Sequence, residues 1–208
     1  MIHQTHPTLF AGEPLDKAKA AMIMLHGRGA TAQDILSLSS EFPAKGFAYL
    51  APQADDGTWY PNRFLAPIES NEPYLSSALK VIDDLLTQIK TVGIPPEHTM
   101  LLGFSQGACL TLEYVARHTQ RYGGVAGLSG ALIGPDEMKR NDSGSLDGTP
   151  VFLGCSDVDF HVPKERVESA ASTLKSLGAH ITLRLYPNMD HTVNEDEIKF
   201  VREMMKIL

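Results

Sequence analysis

Little in this chain of 208 residues can serve as a cross-link, a membrane anchor or a basic platform. It has two cysteines, Cys109 and Cys155, too few for a disulfide framework. Cys109 falls in a predicted helix and reads as a small apolar packing residue. Cys155 ends a predicted strand, where inert burial is favoured over a reactive thiol. The first residues, Met1 to Pro7, lack a basic region followed by an apolar stretch, so no secretory leader is expected. The apolar run nearest to them, Ala20 to Leu25, is far too short to cross a bilayer. Positive charge is scarce as well: 18 Lys and Arg against 25 Asp and Glu leave a net charge of −7. With no basic cluster to override that average, a nucleic-acid backbone is excluded as a partner. No repeat, low-complexity tract or linker divides the sequence, so residues 1–208 read as one domain. A cytoplasmic setting with reduced thiols follows as the expectation.

What the chain does have is alternation. Short apolar runs at Ala20–Leu25, Phe47–Ala51, Thr99–Phe104, Gly124–Leu128, Val151–Gly154 and Ile181–Tyr186 alternate with segments of helical period. That pattern predicts an α/β fold with a mostly parallel central sheet and helices on both faces. Thr8–Phe10 adds an antiparallel edge strand. Leu75, Leu79, Ile82, Leu86 and Ile89 make one helical stripe, ended by Gly93 and Pro95-Pro96. Val167, Ala171, Leu174 and Leu177 make another, closed by Gly178. The last helix opens with Asn194 as N-cap and Glu197 as its capping-box partner. Glu195, Asp196 and Glu197 there favour the helix dipole and need no metal or catalytic role. Met22, Met24, Met204 and Met205 read as core fillers. Residues 52–73 and 130–149 show no clear period, and loops of such length usually carry function.

The chemistry begins at Gly103-Phe-Ser-Gln-Gly107. This G-x-S-x-G pentapeptide lies where the strand Thr99–Phe104 gives way to a predicted helix, Gln106–His118. In that context it reads as a nucleophile elbow, with Ser105 on a strained turn and glycines wherever a Cβ would crowd the chain. A serine hydroxyl needs a base to take its proton and an acid to orient that base. On this topology the acid and then the histidine follow the serine, each at the carboxyl end of a strand.

Of eight histidines, His3, His6, His26 and His98 precede Ser105. His118 sits near a helix end, His180 at the start of a strand, and His161 too close to the aspartates. His191 remains, after a turn-rich loop that can swing its imidazole over Ser105. The loop Gly154 to Pro163 offers both Asp157 and Asp159. Counting forward from Gly154 favours Asp157, and counting back from Val162-Pro163 favours Asp159. We take Asp159 as the acid, with Asp157 as the alternative. Two backbone N–H groups are needed for the developing oxyanion. Position selects Gln106, just after the nucleophile, and Arg28, in the glycine-framed turn His26-Gly-Arg-Gly29. His26 itself reads as a brace for that turn. Trp59, Tyr60, Phe64 and Leu65 cluster in the long segment 52–73, and Trp59, Tyr60 and Phe64 are taken as substrate-binding residues. No metal-ligand spacing and no phosphate-cradling loop occur, so neither a metal nor an organic cofactor is expected.

Nearly end to end, the chain resembles the phospholipase/carboxylesterase family of α/β-hydrolases, which includes the acyl-protein thioesterases. The resemblance rests on Leu25-His-Gly-Arg-Gly29, Ala51-Pro-Gln53, Trp59, Gly103-Phe-Ser-Gln-Gly107, Leu128-Ser-Gly130, Val162-Pro163 and Tyr186-Pro-Asn-Met-Asp-His191. It implies Ser105 as nucleophile, His191 as base and an aspartate of the 154–163 loop as acid. Aligning the family's Asp-Pro-x-Val-Pro with Asp159 to Pro163 supports Asp159. It also implies an oxyanion hole from the backbones of Arg28 and Gln106, and a fold without a large cap domain. Phe160 stands in place of the usual proline. Arg28 stands where the thioesterase branch often has leucine, which points toward smaller or more polar acids. The expected activity is hydrolysis of small to medium carboxylic esters through an acyl-enzyme. Thioesterase or lysophospholipase-type activity is the alternative, and a slow small-molecule sensor is the rival from another class. A homodimer follows by analogy only.

Overall fold

In the computed structural model, which describes residues 2–43 and 45–208, the apolar runs assemble into a seven-stranded sheet. The strands are β1 (Thr8–Gly12), β2 (Ala20–Leu25), β3 (Phe47–Pro52), β4 (Thr99–Phe104), β5 (Gly124–Leu128), β6 (Pro150–Ser156) and β7 (His180–Tyr186). Their spatial order is β1-β3-β2-β4-β5-β6-β7. Only the edge strand β1 runs antiparallel to its neighbour. Strands β2, β3 and β5 are buried along their whole length, as strands covered on both faces must be.

Side-chain alternation along β2 separates two cores. Ala21, Ile23 and Leu25 face a layer built from α2 (Tyr74–Thr91), α3 (Gln106–Arg117) and α4 (Lys164–Ser176). Ala20, Met22 and Met24 face the other layer, α1 (Ala32–Ser37) and α5 (Glu195–Met205). The four methionines expected as core fillers, Met22, Met24, Met204 and Met205, all lie in this second core. Helix α1 is an element the sequence pattern did not indicate. It is six residues long, capped by Thr31, whose side chain and that of Asp34 form a capping box. The expected box at α5 is present, with Asn194 accepting from Glu197 N and Glu197 accepting from Asn194 N.

The two aperiodic stretches carry only short 3-10 turns or none, and buried polar groups hold them. Glu113 of α3 is fully buried, accepts from Ile133 N at 3.0 Å, and pairs with Arg117 and Arg140. Arg140 also pairs with Asp142, so one ionic network docks residues 133–142 onto α3. Segment 52–73 is clamped by His3, whose ring bonds Trp59 O at 3.0 Å and Asp55 N at 3.1 Å.

Candidate active site

Ser105 sits between β4 and α3 with φ 55° and ψ −117°, a left-handed conformation that costs a non-glycine residue energy. The flanking glycines explain how so sharp a turn packs. A Cβ on Gly103 would lie 2.3 Å from Gly107 O, and one on Gly107 would lie 2.1 Å from Leu25 O. Neither glycine can be replaced without moving backbone. The elbow therefore rests directly on the end of β2, the strand that leads into His26-Gly27-Arg28.

The partners arrive from β6 and β7, on the far side of β5, at the same sheet edge. His191, in the loop after β7, has Nε2 2.8 Å from Ser105 Oγ. Its Nδ1 lies 2.6 Å from Asp159 Oδ2, in the loop after β6. A carboxylate can only accept, so Nδ1 carries the proton and Nε2 is free to accept from the serine hydroxyl. Asp159 is fixed through its second oxygen, which accepts from His161 N at 2.7 Å and Val162 N at 3.0 Å. Burial pushes its carboxyl pKa up, but the hydrogen bonds from His191, Val162 and His161 outweigh this and hold it below its usual value. The Cys155 thiol approaches the same carboxylate at 3.7 Å. Burial and the Asp159 charge push that thiol up to about 12, so it stays protonated and unreactive. Asp157 points elsewhere and accepts from Asn188 N at 2.9 Å, tying the β6 loop to the β7 loop.

The turn after β2 is braced as expected. Ala54 N donates to His26 Nε2 at 3.1 Å, so the ring is neutral and its Nδ1–H donates to Gly27 O at 2.8 Å. Burial, the first of its perturbations, favours this uncharged form. Gln106 locks the elbow to segment 52–73: its side chain accepts from Trp59 N at 3.0 Å and donates to Tyr60 O at 2.8 Å. The Arg28 guanidinium donates to the carbonyls of Tyr60, Pro61 and Asn62 and lies 6.0 Å from the Tyr60 ring centre. It staples the segment as well as standing at the mouth of the site.

A cavity of about 310 Å³ opens over Ser105 and His191. Tyr60, Phe64, Cys109 and Val162 form its buried wall, and Arg28, Arg63 and His161 its exposed rim. Tyr60 and Phe64 thus line the cavity. Trp59 does not: it is fully buried behind the wall, with Nε1–H donating to His26 O at 2.9 Å. The indole props the His26 turn, because its single donor is spent on that carbonyl. Leu65 turns to a separate hollow beside Leu132. His161, set aside as a base, lines the cavity with its ring 4.8 Å from that of His191. Sequence reasoning missed it and Arg63 as lining residues, since neither belongs to a motif. His118 caps α3, with Nδ1–H donating to Tyr114 O at 3.0 Å. Among the described residues, no group of three or more His, Cys, Asp or Glu is placed to hold a metal ion. Nor is any described helix long and apolar enough to cross a membrane.

A seven-stranded, mostly parallel sheet flanked by helices, with an elbow serine at its carboxyl edge, defines an α/β-hydrolase fold. The family model described as phospholipase/carboxylesterase matches residues 7–208, and the chain belongs to that family. The chain is 33% identical to an acyl-protein thioesterase 1 of Gibberella zeae over 131 residues, covering 61% of this chain and 55% of the relative. It is 25% identical over 216 residues to carboxylesterase SOBER1 of Arabidopsis thaliana, covering 91% and 90%. Among solved structures, a phospholipase/carboxylesterase from Dyadobacter fermentans superposes with a TM-score of 0.94 at 40% identity, covering 99% of this chain and 98% of that one.

Proposed function

We propose that residues 1–208 form a single-domain serine hydrolase that cleaves esters of small to medium carboxylic acids through an acyl-enzyme. One observation carries the reading: Ser105, His191 and Asp159 are joined end to end by hydrogen bonds of 2.8 and 2.6 Å in the wall of an open cavity. His191 Nε2 takes the hydroxyl proton as Ser105 Oγ bonds to the ester carbon, and Asp159 steadies the imidazolium. The carbonyl oxygen becomes an anion and is received by the N–H groups of Arg28 and Gln106. Neither N–H has a hydrogen-bond partner among the described residues, and both residues line the cavity beside Ser105. Such donors are typically worth about 10²–10³ in turnover each. Collapse breaks the bond to the alcohol oxygen, which leaves with the proton from His191. Water then attacks the acyl-enzyme by the same route and restores Ser105.

The cavity supports the size of acid. At about 310 Å³ it lies at the small end of the range of small-molecule sites, which suits a small to medium acyl group. A thioester is the second reading, favoured by the thioesterase among the relatives; the same oxyanion site serves it, and a thiolate leaves more readily. A binding-only sensor has no use for an orienting acid held by three hydrogen bonds. The test is labelling by a fluorophosphonate together with hydrolysis of p-nitrophenyl esters from acetate to decanoate. Wild type is expected to label at Ser105 and to show an optimum at short to medium chains. Ser105→Ala is expected to lose both labelling and turnover. An unlabelled wild type that turns over neither esters nor thioesters sinks the reading.

A further inference from the structure

The cavity has an electrostatic character at odds with the rest of the chain. The protein carries a net charge of −7, yet among the described residues no Asp or Glu lines this cavity. Two guanidinium groups, Arg28 and Arg63, do. The first is satisfied by three carbonyl oxygens, which leave its charge unneutralised. Arg63 is exposed and has a single long contact, 3.5 Å, to His161 O. Neither arginine takes part in an ion pair among the described residues, whereas Arg117, Arg140, Arg166, Arg184 and Arg202 all do.

Tyr60 forms part of the buried wall, but its hydroxyl is enclosed beside the Cys109 thiol and out of reach of the cavity. A free guanidinium at the rim of a hollow with no lining carboxylate is suited to a ligand carboxylate, which accepts from it.

Which half of the substrate brings that carboxylate follows from a second hollow. It measures about 390 Å³, shares Gly27, Ala30, Phe104 and His191 with the first, and otherwise mixes apolar Ile35, Leu38 and Val193 with polar His26, Asp34 and Thr192. It reaches His191 but not Ser105, Arg28 or Gln106. The leaving atom must meet the His191 proton, so the alcohol side extends toward this second hollow. The acyl side stays with Ser105 and the two N–H donors in the first.

Resting on the hydrolase reading above, we infer that the site selects esters whose acyl half bears a second, anionic group. The class is a monoester of a short dicarboxylic acid, with Arg63 holding the distal carboxylate.

The test pairs p-nitrophenyl hydrogen adipate with its neutral amide, p-nitrophenyl adipamate, which has the same leaving group and length. A wild-type preference of about tenfold in kcat/KM for the anion, expressed in KM, is expected for one well-placed cation. The preference should collapse toward unity in Arg63→Gln and return in part in Arg63→Lys. Added salt should weaken it, since Arg63 is exposed. Butyrate esters of 4-hydroxybenzoate and 4-hydroxybenzamide place the charge on the alcohol side instead, and there no preference is expected. Equal rates for adipate and adipamate, a preference that survives Arg63→Gln, or a preference confined to the alcohol side overturns the inference. Calorimetric binding of monomethyl adipate and methyl adipamate to Ser105→Ala reads selectivity without turnover. Equal binding there overturns the inference while leaving the hydrolase standing, and a wild type that fluorophosphonate does not label overturns the hydrolase reading separately.

Discussion

Asp157 and Asp159 lie two residues apart in one loop, yet the fold gives them unrelated work. Asp159 is enclosed, accepts two backbone N–H bonds and holds the His191 ring, whereas Asp157 accepts only from Asn188 N at the loop surface. Asp159→Asn keeps the shape but offers an amide to Nδ1, which favours the wrong tautomer; a loss of about 10⁴ in kcat is expected. Asp157→Asn retains an acceptor for Asn188 N and is expected to stay within a few-fold of wild type. Side-by-side kcat values on one p-nitrophenyl ester check both, and comparable losses would refute the assignment. The ambiguity in the sequence had a definite cause: β6 continues to Ser156, past the Gly154 from which counting forward began. With the strand two residues longer, Asp157 is the first residue of the turn that follows it, and Asp159 is the first residue beyond that turn. Trp59 was illegible for another reason. An aromatic in an aperiodic stretch has the same pattern whether it walls a cavity or props the residue behind it.

Elements were legible in proportion to their apolar period. The strands and the helices α2 and α4 follow from runs and stripes, since burial on one face or two is what those patterns encode, and α5 follows from its capping box. Helix α1 has too few turns to show a period, and only its Thr31–Asp34 box could have revealed it. The α5 cap has a consequence that its sequence pattern does not show. Glu197 is fully buried, and one carboxyl oxygen lacks a partner among the described residues. A Cβ on Gly154 would lie 2.1 Å from that oxygen, which accounts for a glycine within a strand. Burial lifts the Glu197 carboxyl to about 7, against a partial lowering by the Asn194 N–H bond. An acid whose pKa is raised on folding is more protonated in the folded state than in the unfolded one. Stability therefore falls as pH climbs from about 4.5 through about 7, by up to about 3 kcal/mol, and is level above that. Glu197→Gln keeps the capping acceptor and cannot ionise, so it should gain on wild type from pH 5 to about pH 7 and hold a constant lead above that. Thermal midpoints across that range decide it; parallel curves would remove Glu197 as the cause.

At the scale of the molecule, the site is a product of the sheet's carboxyl edge. Strands β2, β4, β6 and β7, with β5 between β4 and β6, deliver the Arg28 turn, Ser105, Asp159 and His191 to it. The order of parts could be read in the sequence because parallel strands put every such loop on one edge. The attachments could not, since they join residues far apart in the chain. Glu113 is the clearest of these. It lies in α3, the helix that carries the elbow, and anchors segment 133–142 through Ile133 N, Arg140 and the Arg140–Asp142 pair. Its carboxylate is 1% exposed and Arg140 16%, so removing the acid leaves a largely enclosed cation with only Asp142 for charge balance. Breaking a buried pair from one side costs about 3–5 kcal/mol, and for a chain of this size each kcal/mol lowers the melting temperature by about 2–4 °C. Glu113→Ala is thus expected to melt at least about 6 °C below wild type. The double variant Glu113→Leu/Arg140→Met removes both charges and should recover part of that loss, because the penalty lies in the unpaired partner. Equal melting of Glu113→Ala and wild type would show that this network docks the segment without contributing to stability.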